Sequence, residues 1–214
     1  MPSSTKSVSQ NAAFTLIELL VVVAIIGVLA TLGLSVASAA MQKAQATKCL
    51  SSLRQIGVAV RTYVGEHDGR LPDTGHVRAA DGTSLSWMNT LSTSYLGPNF
   101  IGRCPANIQA QSAIAYGWND LLTETTGEGI PVVRCQSQSA TLAVAEVADG
   151  YTSEHFHFAG ARSRVTFNQF KAAVGVERHG LGANYLFVDG HVESLSSTEI
   201  KTRLSVTDST FLNP

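Results

Sequence analysis

An α+β fold, in which one long N-terminal helix lies against a small antiparallel sheet, is predicted by three features of the 214-residue chain. The first is a run from Phe14 to Ala40, apolar throughout except for Glu18, that passes into a stretch with helical periodicity. The second is a group of strand-like segments in the C-terminal half, rich in Val, Ala and Leu. The third is Asp189-Gly190 set between two apolar runs, the pattern of a β-hairpin.

The helix comes first in the chain. From Leu19 to Gln42 no residue carries a charge. At about 1.5 Å rise per residue that stretch makes a helix of roughly 36 Å, enough to cross a hydrocarbon core of about 30 Å. Glu18 is the exception at its entrance. An acidic residue inside a membrane segment costs on the order of 2.5 to 3.5 kcal/mol and normally has a partner, so something is expected to neutralise it. Beyond the apolar run, Cys49, Leu50, Leu53, Ile56, Gly57, Val60, Tyr63 and Val64 recur at spacings of three and four, while Lys48, Arg54, Arg61 and Glu66 fall elsewhere on the wheel. The helix is expected to run from Thr15 to Glu66 and to stop at His67-Asp68-Gly69-Arg70-Leu71-Pro72, where Gly and Pro stand in helix-ending positions. The expected organisation is a membrane-spanning helix over residues 14–42, an amphipathic continuation over 43–67 and a globular domain over 68–214.

Residues 70–103, rich in Gly, Ser, Thr and Asp, read as loop with one short helix around Leu85 to Tyr95. Strands are expected at Ile130 to Cys135, Ala140 to Val147 and Arg162 to Phe167. The hairpin joins Ala183–Val188 to His191–Leu195, and Asp-Gly at its tip favours a type I′ turn. Ser196-Ser197-Thr198-Glu199 has capping-box spacing, which starts a final helix through Leu204.

Composition narrows the function. Charged residues make up 14% of the chain and the formal net charge is -1, against a usual charged share of about 25%. No basic stripe is available to neutralise phosphates, so nucleic acid is not an expected partner. Cys49, Cys104 and Cys135 show no C-x-x-C spacing. In an exported domain Cys104 and Cys135 could pair and leave Cys49 on the helix, but the sequence does not choose among the three pairings, and three buried thiols are an equal alternative.

The heptapeptide Phe14-Thr15-Leu16-Ile17-Glu18-Leu19-Leu20, directly before the apolar helix, resembles the N-terminal processing and methylation motif of type IV pilins and the pseudopilins of type II secretion. The resemblance implies that residues 1–13 are a leader, that a prepilin peptidase cuts after Ala13, and that the new Phe14 amine is methylated. It implies a single-pass protein of the bacterial inner membrane with a periplasmic domain. Such a subunit polymerises with other pilin or pseudopilin subunits at an inner-membrane assembly platform, and Glu18 pairs there with the Phe14 amine of a neighbour. Ala13 stands where the family usually has Gly, and Lys6 is the leader's one basic residue. Lys43, Lys48 and Arg54 would by charge alone put the far side in the cytoplasm; the processing motif overrides that count.

A second resemblance lies near the C-terminus. His179, nine intervening residues and Asp189-Gly190 look like the processing-associated motif of a pseudopilin-like branch, to which Cys104-Pro105 and Tyr116-Gly117 are also similar. Asp189-Gly190 serves as a turn whatever else it does, and His179 is expected to bond to backbone near the hairpin. Resemblance to the major pseudopilins implies calcium held by oxygens, for which Asp149, Glu154, Asp189 and Glu193 are candidates, although no D-x-D-x-D-G run occurs. His155-x-His157 places two imidazoles on one face of a strand, and with His179 or His191 could hold a transition metal. Two surface histidines are the plainer account.

Catalysis has little support, because no G-x-S-x-G, H-E-x-x-H, Walker or G-x-G-x-x-G pattern is present and a His179–Asp189 pair lacks a nucleophile. The sequence thus points to a structural subunit of a secretion pseudopilus or type IV pilus-like filament. Its competitor is a secreted soluble binding domain, released by a signal peptidase near Ala37-Ser38-Ala39. Against that stands an apolar core longer than the roughly 7 to 15 residues of a signal peptide.

Overall fold

The computed structural model describes residues 15–75, 82, 86–97, 100, 102–107, 115–158, 165–206 and 209–214, without the side chains of residues 32–36. The chain divides into two units, Met1–Met41 and Gln42–Pro214. Helix α1 spans Leu16–Glu66, as its uncharged run and its three-and-four periodicity dictate.

Within the first unit, every described side chain of α1 from Leu16 to Thr31 is exposed, including Leu16, Leu19, Leu20, Ile25, Ile26 and Leu29. The sequence leads to a membrane-spanning segment here, and the described residues differ: among them no helix is long and apolar enough to cross a membrane.

Within the second unit, α1 buries Cys49, Leu53, Ile56, Val60, Tyr63 and Val64. These are the residues that the heptad-like spacing puts on one face. The helix ends where Asp68 (φ 51°) and Gly69 (φ 73°) turn left-handed, and the Gly69 N–H donates back to the Val64 carbonyl at 3.0 Å.

That face packs on a five-stranded sheet of order β3-β1-β2-β4-β5, with β1 at Tyr116–Asn119, β2 at Leu142–Glu146, β3 at His155–Phe156, β4 at Gly182–Phe187 and β5 at Val192–Ser196. All pairings are antiparallel except β1 with β3. Alternation along β4 decides the layers. Leu186 joins Leu53, Ile56 and Val60 beneath α1, while Ala183, Tyr185 and Phe187 join Phe170, Ile200 and Phe211 on the opposite face. A register shift between Leu142 and Val144 lets consecutive Ala143 and Val144 both serve the α1 side. The fold is therefore α+β, with helix on both faces of a mostly antiparallel sheet.

Two further helices cover the second face. Helix α4, Ser197–Ser205, begins at the anticipated capping box, in which Ser196 Oγ accepts from Glu199 N–H and Glu199 Oε2 accepts from Ser196 N–H at 2.8 Å. Helix α3, Phe167–Ala173, replaces the end of the strand expected at Arg162 to Phe167; residues 162–164 of that segment lie outside the described residues. Thr166 and Gln169 form its own capping box, and burial of Phe170 and Ala173 anchors it. Thr166→Ala should lower the stability of the domain by about 1 kcal/mol, read from the midpoint of urea unfolding.

Two other expectations change. Ile130 to Cys135 is not a strand: Pro131 makes one bridge to Arg70, and Val132–Arg134 then forms a 3₁₀ turn. Proline lacks the N–H that a ladder needs. The short helix expected at Leu85 to Tyr95 is found as α2, Trp87–Leu91, followed by a π-helical turn over Ser92–Leu96.

Candidate functional site

The N-terminal motif is a helix start with a local hydrogen-bonding circuit. Thr15 Oγ1 accepts from Glu18 N–H at 3.4 Å, and Glu18 Oε2 accepts from Thr15 N–H at 2.9 Å and from its hydroxyl at 2.7 Å. Thr15-Leu16-Ile17-Glu18 is therefore a capping box. Sequence reasoning treated Glu18 as an acid awaiting a partner in another subunit; within one chain its carboxylate already holds an otherwise unsatisfied N–H of the helix start. The Thr-x-x-Glu spacing was the available signal. Ala13 and Phe14 lie outside the described residues.

The C-terminal motif brackets β4, and each end has its own task. At the near end, His179 Nε2 lies 2.8 Å from Glu146 Oε1, and His179 N–H donates to the Gly182 carbonyl at 2.9 Å. At the far end, the Phe187 carbonyl accepts from Gly190 N–H at 2.9 Å and Phe187 N–H donates to His191 at 3.0 Å. Gly190 is left-handed at φ 92° while Asp189 is not. The tip is thus a type I turn closed by a left-handed glycine, in place of the expected type I′ turn, which needs positive φ at both Asp189 and Gly190. Asp189 Oδ1 holds the turn by accepting from His191 N–H at 3.1 Å and meeting its Nδ1 at 2.6 Å. The glycine then seats the turn on α1: a Cβ on Gly57 would lie 2.7 Å from the Gly190 carbonyl oxygen, and one on Gly190 would lie 2.9 Å from Arg61 Cγ.

Glu146, which the sequence reading passed over, is the centre of the buried polar cluster. It closes β2 with no exposed surface. Besides His179 at Oε1, its Oε2 accepts from Asn184 N–H at 3.2 Å, and Cys104 Sγ lies 3.1 Å from Oε1. Cys104 is joined to Cys49 with Cα atoms 5.1 Å apart, so this last approach is a sulfur–oxygen contact without an S–H donor. The disulfide corrects the candidate Cys104–Cys135 pairing. Cys49 comes from the buried face of α1 directly above the sheet, whereas Cys135 is buried at the end of the 3₁₀ turn and free, its thiol pushed up by burial. Tyr116 and Tyr185 flank the cluster, and both phenols are raised well above their ordinary value, first by burial and then by the charge of Glu146. A lone acid ending the apolar run Leu142-Ala143-Val144-Ala145 was the signal for this site.

The four calcium candidates are not brought together, and each already serves another group. Asp149 pairs with Arg178, and Glu193 Oε2 meets Arg203 at 3.0 Å. Asp189 holds its own turn. Glu154 accepts from Gly75 N–H at 2.7 Å and from the Ser86 hydroxyl beside a cavity of about 640 Å³, and its carboxyl is raised by burial. His155 and His157 lie ring to ring at 4.4 Å, while His179 and His191 are engaged by Glu146 and Asp189. Among the described residues, the group whose ligand atoms converge closely enough for a metal ion is a different one: Cys49, Cys104, Glu146 and His179.

Comparison with known proteins bears on the N-terminal motif. Residues 8–34 match the family model of the prokaryotic N-terminal methylation motif. The chain carries the motif of a type IV pilin-like substrate of prepilin peptidase, consistent with a pilin or a pseudopilin. No curated protein and no solved structure matches the chain.

Proposed function

We propose that this protein is a structural subunit of a type II secretion pseudopilus or type IV pilus-like filament. In this reading it is inserted in the bacterial inner membrane with its domain in the periplasm, cut after Ala13 by prepilin peptidase, methylated at Phe14 and assembled through α1. The observation that carries the reading is the motif Phe14 to Leu20 opening onto a helix whose described apolar side chains stand exposed from Leu16 to Leu29. Such a surface requires cover, and acyl chains or the helices of neighbouring subunits both provide it. The partners follow from the motif: the peptidase, the assembly platform and other pilin-like chains, with no reaction assigned to the domain itself.

Glu18 has two successive roles in this scheme. In the single chain it completes the capping box; in the filament the carboxylate also meets the amine of Phe14 from an adjacent subunit. Glu18→Ala should leave membrane insertion intact while abolishing or strongly slowing incorporation into sheared filaments, scored by immunoblot of membrane and filament fractions. Glu18→Gln retains an acceptor for the cap but not the charge. It should therefore fail in assembly like the alanine variant; normal assembly of Gln with failure of Ala would reduce Glu18 to a helix cap and remove its intersubunit role.

A further inference from the structure

We infer that Cys49, Cys104, Glu146 and His179 form a metal site in the reduced chain, taking zinc or a similar divalent transition ion, and that the disulfide is the oxidised state of the same site. This is independent of the filament reading. The ligand atoms are two Sγ, one imidazole nitrogen and one carboxylate oxygen, and all four lie within 4.8 Å of one another. They come from α1, the loop before β1, the end of β2 and the loop before β4, so they converge through the fold and not through a sequence motif.

The chemistry of the set selects the ion. Two thiolates and an imidazole favour a borderline-soft cation such as zinc over calcium, which prefers oxygen. Geometry agrees. With Zn–S about 2.3 Å and tetrahedral angles, two sulfur ligands on one zinc lie about 3.8 Å apart, close to the contact distance that two sulfurs adopt once they are no longer bonded. The Glu146 carboxylate is already oriented, because Asn184 N–H holds Oε2 and leaves Oε1 toward Cys104 and His179. Holding a ligand by its other atom is the usual outer-shell device of metal sites. The ion also offsets charge: once it has displaced the thiol protons, it neutralises two of the three negative charges carried by two thiolates and one carboxylate.

The redox step is balanced by a dithiol reductant. Two electrons and two protons pass from the reductant to the Cys49–Cys104 bond, giving two thiols, while the reductant closes to its own disulfide. Binding of the divalent ion then displaces both thiol protons. Metal binding and disulfide formation exclude each other; the disulfide ties α1 to the loop before β1, and the metal would tie it to β2 as well.

The test uses the detergent-solubilised full chain, reduced with a dithiol, freed of excess reductant under nitrogen and titrated with cobalt(II). The expected result is one cobalt per chain with a thiolate-to-cobalt charge-transfer band and the intense visible bands of tetrahedral coordination, bleached by zinc. The disulfide form should give no band. Cys49→Ser and Cys104→Ser should lose it, and Glu146→Gln and His179→Gln should weaken cobalt binding by at least about tenfold, as even outer-shell changes do. Cys135→Ser should behave as the parent chain. Absence of the band in the reduced parent chain, which needs no variant to fold, overturns the inference; so does a band that survives in Cys49→Ser or disappears in Cys135→Ser.

Discussion

Truncation of Glu146 to Ala is expected to remove about 3 to 5 kcal/mol from the stability of the folded domain, the largest single-residue effect we foresee. The carboxylate is wholly buried and satisfies two neighbours at once, the His179 ring at 2.8 Å and Asn184 N–H at 3.2 Å, while the Cys104 sulfur lies 3.1 Å away without a hydrogen to give. Deleting it leaves the imidazole and the amide buried without their acceptor, and each orphaned polar group costs about 1 to 3 kcal/mol. Glu146→Gln keeps the volume and one acceptor oxygen and should cost clearly less. Urea unfolding of the oxidised chain, followed by tryptophan fluorescence from buried Trp87 and Trp118, measures both. Equal losses for Ala and Gln would mean that charge and not hydrogen bonding governs the site, and a loss under about 1 kcal/mol for Ala would contradict the central role given to Glu146.

The second large effect has an unusual sign. Gly-to-Ala in the middle of a helix normally stabilises by about 0.5 to 1 kcal/mol. At Gly57 the added methyl would fall 2.7 Å from the Gly190 carbonyl oxygen and 2.8 Å from Leu186 Cδ1. The oxygen is backbone in a tight turn and cannot swing away, so the hairpin must move off α1. Overpacking of this kind costs about 1 to 3 kcal/mol, and Gly57→Ala should be net destabilising. Gly65, also in α1, has open space where its Cβ would be, and Gly65→Ala should show the ordinary gain. A gain at both positions would show that the turn does not bear on the helix.

That contact also explains why parts of this molecule were readable from sequence and others were not. Periodicity is local information, so the bounds of α1, the buried face from Cys49 to Val64 and the capping box at Ser196–Glu199 could be read directly. The hairpin could be placed for the same reason. Its turn type could not, because Asp-Gly suits both the type I′ tip and the left-handed closure that Gly190 makes beneath α1. Helix α3 was missed although Thr166-x-x-Gln169 announces it; the β-branched residues Val165 and Thr166 outweighed the cap. Pro131 was the overlooked veto on a strand at Ile130 to Cys135. The Glu146 site was least legible, since its groups come from distant parts of the chain, 55 residues apart for Cys49 and Cys104, 42 for Cys104 and Glu146 and 33 for Glu146 and His179, and no local pattern encodes such convergence. The cysteine pairing follows from that same convergence.

The N-terminal motif is the opposite case, legible as a motif yet with a local function that the resemblance concealed. Glu18 caps its own helix through Thr15, which keeps the carboxylate ordered at the helix start, within reach of any amine that a neighbouring chain brings there. A charge held in place before assembly loses little freedom when its partner arrives.

Whether this chain is an assembly subunit is tested most directly by intact-mass and N-terminal analysis of the protein recovered from its native membrane. The account predicts a mature chain that begins at Phe14 and carries one added methyl group on its α-amine. A chain beginning between Ser38 and Met41, cut at the small-residue site, would contradict it and establish a released domain instead.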